Sequence, residues 1–193
     1  MMINYPNGKK NSSFVSNPKF TGQRGMNLEN DINVTNDYYR EIDKAVIYKK
    51  PTPVQIVHVD YPRRTAAKID EAYFKIPSTT DYNGIYRGKY IDFEAKETAS
   101  QTSFPFSSIH PHQIEHLKSV IRHGAIAFVI VRFKAHDETF FVQADKLIQA
   151  YQGERRSLPY QWFKEECYTI PFSLTPPVNY LKIVDDLYFK GDK

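Results

Sequence analysis

The segment from Lys89 to Lys96 constrains this chain more than any other, because its residues alternate strictly in character. Ile91, Phe93 and Ala95 fall on one side of an extended strand, and Tyr90, Asp92, Glu94 and Lys96 on the other. Two turn signals compete to connect it backwards. Arg87-Gly88 as a two-residue turn sets Tyr86 opposite Lys89, which carries Asp81 opposite Glu94 and Thr79 opposite Lys96. Asn83-Gly84 is the stronger turn pair by type and would instead set Asp81 opposite Tyr86. In the first register two carboxylates face each other at roughly 4.5–5.5 Å between Cβ atoms, where like charges repel. Such a pair, beside a threonine hydroxyl and a lysine, suits a hard divalent cation, with Mg²⁺ the first candidate and Mn²⁺ a possible substitute. In the second register the acidic face is ordinary solvated strand.

An Asp followed on the next strand by Glu-x-Lys resembles the PD-(D/E)xK nuclease superfamily. A closer resemblance runs through ordered blocks: Tyr5-Pro6-Asn7-Gly8-Lys9, Arg24-Gly25-Met26-Asn27-Leu28-Glu29, Lys49-Lys50-Pro51-Thr52-Pro53-Val54-Gln55-Ile56-Val57, Ser78 to Gly84, Ile91 to Thr98, and His112-Gln113-Ile114-Glu115-His116. These are similar to the RecU family of Holliday-junction resolvases and span nearly the whole chain. The position before Asp81, a proline in the superfamily's name, is Thr80 here, a departure that RecU proteins share.

The resemblance implies a restriction-endonuclease-like α/β fold, a mixed β-sheet flanked by helices with a protruding stalk loop. It implies a metal-dependent endonuclease that resolves Holliday junctions by symmetric phosphodiester hydrolysis in recombination and repair. The alternative is a branched-DNA-binding, recombinase-modulating protein in which cleavage is secondary. Asp81, Glu94 and Lys96 are the expected catalytic set, with Thr79, Asp81, Glu94 and Gln113 around the metal and Glu29 near it, holding a second ion through water or merely capping its helix. A lysine ammonium ordinarily keeps its proton to about pH 10. Lys96 is therefore expected to stabilise charge developing at phosphorus, unless metal charge lowers its proton affinity. His112 and His116 stand at the i, i+4 spacing of zinc ligands, but only His110 offers a third ligand nearby.

Charge distribution adds a DNA-binding expectation. The net charge is +4 over 193 residues, and residues 1–24 contain Lys9, Lys10, Lys19 and Arg24 with no acid. A basic, Asn/Ser/Gly/Pro-rich arm of this kind is expected to be disordered when free and to hold phosphates, with residues 25–193 forming a single nuclease domain. The segment 61–77 carries Arg63, Arg64 and Lys68 for phosphates and Tyr73 and Phe74 for stacking on an exposed base. By resemblance it is the stalk, thought to enter the open centre of a four-way junction; the bland alternative is a long hairpin folded back on the core. A near-twofold junction cut on two strands favours a homodimer. A recombinase filament or branch-migration machinery is a further possible partner.

Cys167 is the sole cysteine, which excludes an internal disulfide and a cysteine-based zinc knot. The longest apolar run, Ala125 to Val131, is strand-sized, so a cytoplasmic, non-membrane protein is expected. Periodicity predicts helices over 26–40, 107–123, 144–151 and 180–189. Strands are expected over 45–48, 54–59, 125–133 (central) and 139–143, with a polar loop at 152–160.

Overall fold

The computed structural model describes residues 27–60, 68–75, 79–153 and 155–190. Among them the chain runs α1 (Leu28–Glu41), β1 (Val46–Lys49), β2 (Val54–Asp60), β3 (Lys68–Phe74), β4 (Tyr82–Tyr86), β5 (Lys89–Thr98) and β6 (Ser103–Pro105). It continues with α2 (Pro111–Arg122), β7 (Ile126–Phe133), β8 (Glu138–Gln143), α3 (Ala144–Tyr151), β9 (Ser157–Pro159), α4 (Tyr160–Glu166), β10 (Tyr168–Ile170) and α5 (Tyr180–Tyr188). The main sheet has the order β1-β4-β5-β7-β8-β10. Only β5 and β7 run parallel, and the other neighbours are antiparallel. This is the expected α/β mixed sheet flanked by helices, with β7 central and buried on both faces.

Each face of the sheet carries its own apolar layer. On one side Tyr82, Phe93, Phe128 and Phe141 stack across four consecutive strands, with centroid spacings of 4.8, 4.7 and 4.3 Å. That layer is closed by Leu28 and Ile32 of α1 and by Tyr180, Leu181 and Val184 of α5. On the other side Val129, Val131, Phe140 and Val142 pack against Ile114 and Leu117 of α2, Leu147 of α3 and Phe163 of α4. A buried ion pair, Asp31 Oδ2 to Arg132 at 2.6 Å, ties α1 to the central strand.

Several boundaries differ from expectation for local reasons. The helix expected over 107–123 begins only at Pro111. Phe106–Ser108 forms a 3₁₀ turn, and His110 is held extended (φ −77°, ψ 146°), as a residue preceding proline is. The loop expected over 152–160 contains β9, which pairs with β6 in a small separate sheet. Helix α4 and strands β6 and β10 had no periodic signal. The segment 61–77 is not simply a loop: its described part, β3, pairs antiparallel with β2, with register shifts around His58. Among the described residues that two-stranded ribbon forms no ladder with the main sheet. The basic arm, Arg24, Arg63 and Arg64 lie outside the described residues. Among the described residues no helix is long and apolar enough to cross a membrane.

Candidate active site

The β4–β5 hairpin resolves the competition between the two turns. Tyr86 pairs with Lys89 and Tyr82 with Phe93, so Arg87-Gly88 is the turn. Both residues have positive φ (48° and 73°), as a type I′ connection requires. Gly84 serves a different purpose. A Cβ there would lie 2.1 Å from the Val46 carbonyl oxygen and 2.6 Å from Ile47 Cα, so the glycine is what lets β1 approach.

The β4–β5 ladder ends at Tyr82–Phe93, although β5 continues beside β7 as far as Thr98–Phe133. From Glu94 onward the β4 side of β5 has no ladder partner among the described residues, and a cleft of about 140 Å³ opens there, lined by Asp81, Lys96, Glu97 and Asn27–Glu29. The Thr79–Lys96 pairing expected from the register is therefore absent. Asp81 instead meets Glu94 through its backbone N–H, which donates to Glu94 Oε2 at 3.1 Å. Helix α1 is pinned against the same edge: the Leu28 N–H donates to Glu97 Oε1 at 2.9 Å, and the Asn27 side chain caps Glu29 N–H.

Glu94 lies buried behind this cleft, in contact with its lining residues Asp81 and Lys96. It is 1% exposed. Burial, then the Asp81 charge, push its pKa up to about 7, against the lowering effect of Lys96. Lys96 Nζ lies 2.6 Å from Glu94 Oε1, yet no well-directed hydrogen bond reaches that oxygen. Two carboxylates, Glu94 buried and Asp81 beside it, thus share one close cation, Lys96, and burial outweighs that cation in setting the proton affinity of Glu94.

The remaining expected residues divide. Glu29 lines the cleft and bonds Lys49 Nζ. Thr79 is half-buried, its hydroxyl 3.4 Å from the Thr80 carbonyl oxygen. Gln113 is buried at the start of α2, and its Oε1 accepts the His110 N–H at 3.0 Å in a reciprocal cap. None of its described contacts reaches Asp81 or Glu94. His110 and His112 stack on each other, while His116 Nε2 lies 3.2 Å from Asp92 Oδ2. Among the described residues no group of three or more His, Cys, Asp or Glu side chains is spaced to hold a metal ion. Lys68, Tyr73 and Phe74 sit on the exposed ribbon, away from the cleft. Lys68 pairs with Asp70 at 3.7 Å, Tyr73 OH donates to Glu71 at 2.6 Å, and Phe74 is 82% exposed.

Sequence reasoning passed over one group, the buried cluster of Lys50, Thr80, Asp92 and His116 one step along β5. The alternation that set Asp92 on the acidic face was its only signal.

A family profile described as Recombination protein U matches residues 23–186. The Holliday junction resolvase RecU of Oceanobacillus iheyensis is 52% identical over 97% of this chain and 100% of its own length. That of Geobacillus kaustophilus is 49% identical over 98% of this chain and 99% of its own. A solved structure, the Holliday junction resolvase Hjc of Archaeoglobus fulgidus, covers 69% of this chain at 12% identity and a TM-score of 0.39, over 92% of that chain.

Proposed function

The chain belongs to the RecU family, and from that premise we propose that it is a metal-dependent endonuclease that resolves Holliday junctions by hydrolysing a phosphodiester in each of two strands. The observation that carries this reading is Glu94. It is a buried carboxylate driven up to about pKa 7 beside Asp81, with Lys96 Nζ 2.6 Å from one of its oxygens. Nothing in the fold's own stability calls for such a pair.

A divalent cation fits that pair, Mg²⁺ first and Mn²⁺ as a substitute, held by Asp81 and Glu94 with Thr79 and Gln113 as the further candidates. Once bound, the ion supplies electrophilic polarisation of the scissile phosphate and a more acidic water. The rest belongs to the chain's own groups. Deprotonation of Glu94 accompanies loading, so affinity for the ion rises as pH passes 7. Lys96, at the same carboxylate, is placed to offset negative charge accumulating on the phosphoryl oxygens. Glu97 and the α1 cap keep the cleft wall fixed beside the reacting strand.

Two identical sites in a homodimer would serve the two strands of a near-symmetric junction, and the reading places this chemistry in the cytoplasm. A synthetic four-way junction incubated with the full chain and Mg²⁺ should yield paired, symmetric nicks that EDTA prevents. Tight junction binding with no cleavage in either Mg²⁺ or Mn²⁺ would leave the branched-DNA-binding, recombinase-modulating reading in its place.

A further inference from the structure

Asp81 has an unusual problem for a metal-binding residue: it stands outside every regular ladder. The β4 pairings stop at Tyr82 with both of its neighbours, at Lys49–Tyr82 and at Tyr82–Phe93. Residues 79–81 are consequently held by contacts other than those of the sheet. One is the Lys50 N–H, which donates to the Asp81 carbonyl at 2.7 Å. A second is the Asp81 N–H, which donates to Glu94 Oε2 at 3.1 Å. Others converge on Asp92. This carboxylate is fully buried, and Lys50 Nζ donates to its Oδ2 at 2.9 Å. The Thr80 hydroxyl donates to Oδ1, the Tyr90 hydroxyl to Oδ2 at 3.0 Å, and His116 Nε2 lies 3.2 Å away. Lys50 Nζ also donates to Thr80 Oγ1 at 2.9 Å, which closes the triangle.

We propose that Asp92 is a positioning residue for the metal-binding carboxylates, acting through Thr80 and Lys50 to fix the chain at Asp81, and through His116 to fix α2. Burying a carboxylate costs several kcal/mol unless its partners compensate it, and an apolar residue would fill the same space more cheaply. What an apolar residue would not do is bind four groups from different elements in one geometry. Lys50 immediately follows β1 and Thr80 lies two residues before β4, where the ladders have stopped constraining the backbone. His116 lies on α2 three residues from Gln113, hence on the same helix face. Asp92 thus stands between the two elements that carry candidate ligands, and it does for residues 79–81 what ladder hydrogen bonds do for the strands.

This inference rests on the proposed metal-dependent cleavage, and the experiment separates the two. Thr80→Val keeps the shape of the buried side chain and removes only its hydrogen bonds, while Thr80→Ser keeps the hydroxyl. The first readout needs no catalysis: the Mn²⁺ concentration giving half of the maximal rise in melting temperature. The second is the Mg²⁺ concentration for half-maximal junction cleavage, with junction affinity measured separately without metal. Loss of such an orienting partner lowers metal affinity about 10–100-fold. Thr80→Val should shift both midpoints upward by about tenfold or more, with metal-free junction affinity unchanged and Thr80→Ser near the parent. A Thr80→Val protein that melts lower but keeps the parent's two metal midpoints would overturn the proposal, since its bonds would then be merely structural. Should Thr80→Val not fold, Asp92→Asn carries the same comparison under the same criteria. A parent chain that binds Mn²⁺ but never cuts would refute the cleavage reading and leave the first readout to judge Asp92.

Discussion

Two hairpins of this protein sit in opposite surroundings. The β4–β5 hairpin lies inside a six-stranded sheet, with an aromatic stack on one face and α2 over the other. Its central charges, Asp92 and Glu94, are almost wholly enclosed. Among the described residues the β2–β3 ribbon pairs only with itself, and nearly all of its side chains are exposed, including Val54, Ile56, Val57, Ile69, Tyr73 and Phe74. A lone two-stranded hairpin is marginally stable in water. The contrast assigns the two regions different work. Chemistry needs side chains whose positions are over-determined by packing, and the enclosed hairpin provides them. An exposed apolar ribbon gains by covering its surface with an interaction partner.

That division can be broken most sharply at the carboxylates. Asp81→Asn or Glu94→Gln should lower junction cleavage in Mg²⁺ by about a thousandfold or more, equivalent to about 4 kcal/mol. Junction affinity measured without metal should stay within about twofold, a change of less than 1 kcal/mol. Full cleavage by either variant would remove the proposed site altogether.

Stability should respond just as unequally. Gly84→Ala forces a Cβ into the Val46 carbonyl and should cost about 3 kcal/mol in urea unfolding. Gln55→Ala on the exposed ribbon should stay within about 0.5 kcal/mol. Comparable losses at the two positions would mean that the ribbon is packed in solution.

The buried charge predicts a pH dependence of definite sign. Glu94 is raised from 4.5 to about 7 in the folded chain, so the native state holds a proton that the unfolded state has released. Metal-free stability should therefore fall as pH rises from about 4.5 to 7. At pH 8 Glu94→Gln should melt higher than the parent, by up to about 3 kcal/mol of stability. Saturating Mg²⁺ should reverse that ranking, because the ion stabilises only the protein that binds it.

Recognition effects should be smaller and confined to the ribbon and the arm. Phe74 is 82% exposed, so Phe74→Ala should leave the melting temperature unchanged. If it stacks on a base opened at a junction, its removal should cut the preference for junction over duplex by about tenfold in competition binding. An unchanged preference would move shape selection away from the ribbon. Deleting residues 1–22 should weaken junction and duplex binding alike and flatten the dependence of affinity on salt. An unaltered slope would make the arm a spectator.

The local code of the chain was sufficient for the β4–β5 hairpin. Side-chain parity in a strand is exact, so once a turn at Arg87-Gly88 was considered, the register of every residue down to Tyr82 and Phe93 followed. The apolar stripes of α1 and α2 and the central place of β7 were legible for the same reason, as repeats long enough to count. Strands of three residues, β6, β9 and β10, carry no such repeat. Asn83-Gly84 misled because a glycine is required wherever backbone comes close, and only the position of β1 shows that this is its use. Where β4 stops was equally invisible, and that end opens the cleft and leaves Asp81 to Lys50, Thr80 and Asp92. The sequence by itself determined which residues share a face, because that is a property of one strand and its turn. Tertiary structure decided which of them lose water, since the burial that raises Glu94's proton affinity and Asp92's bonds to Lys50 and His116 depend on packing against elements remote in the chain.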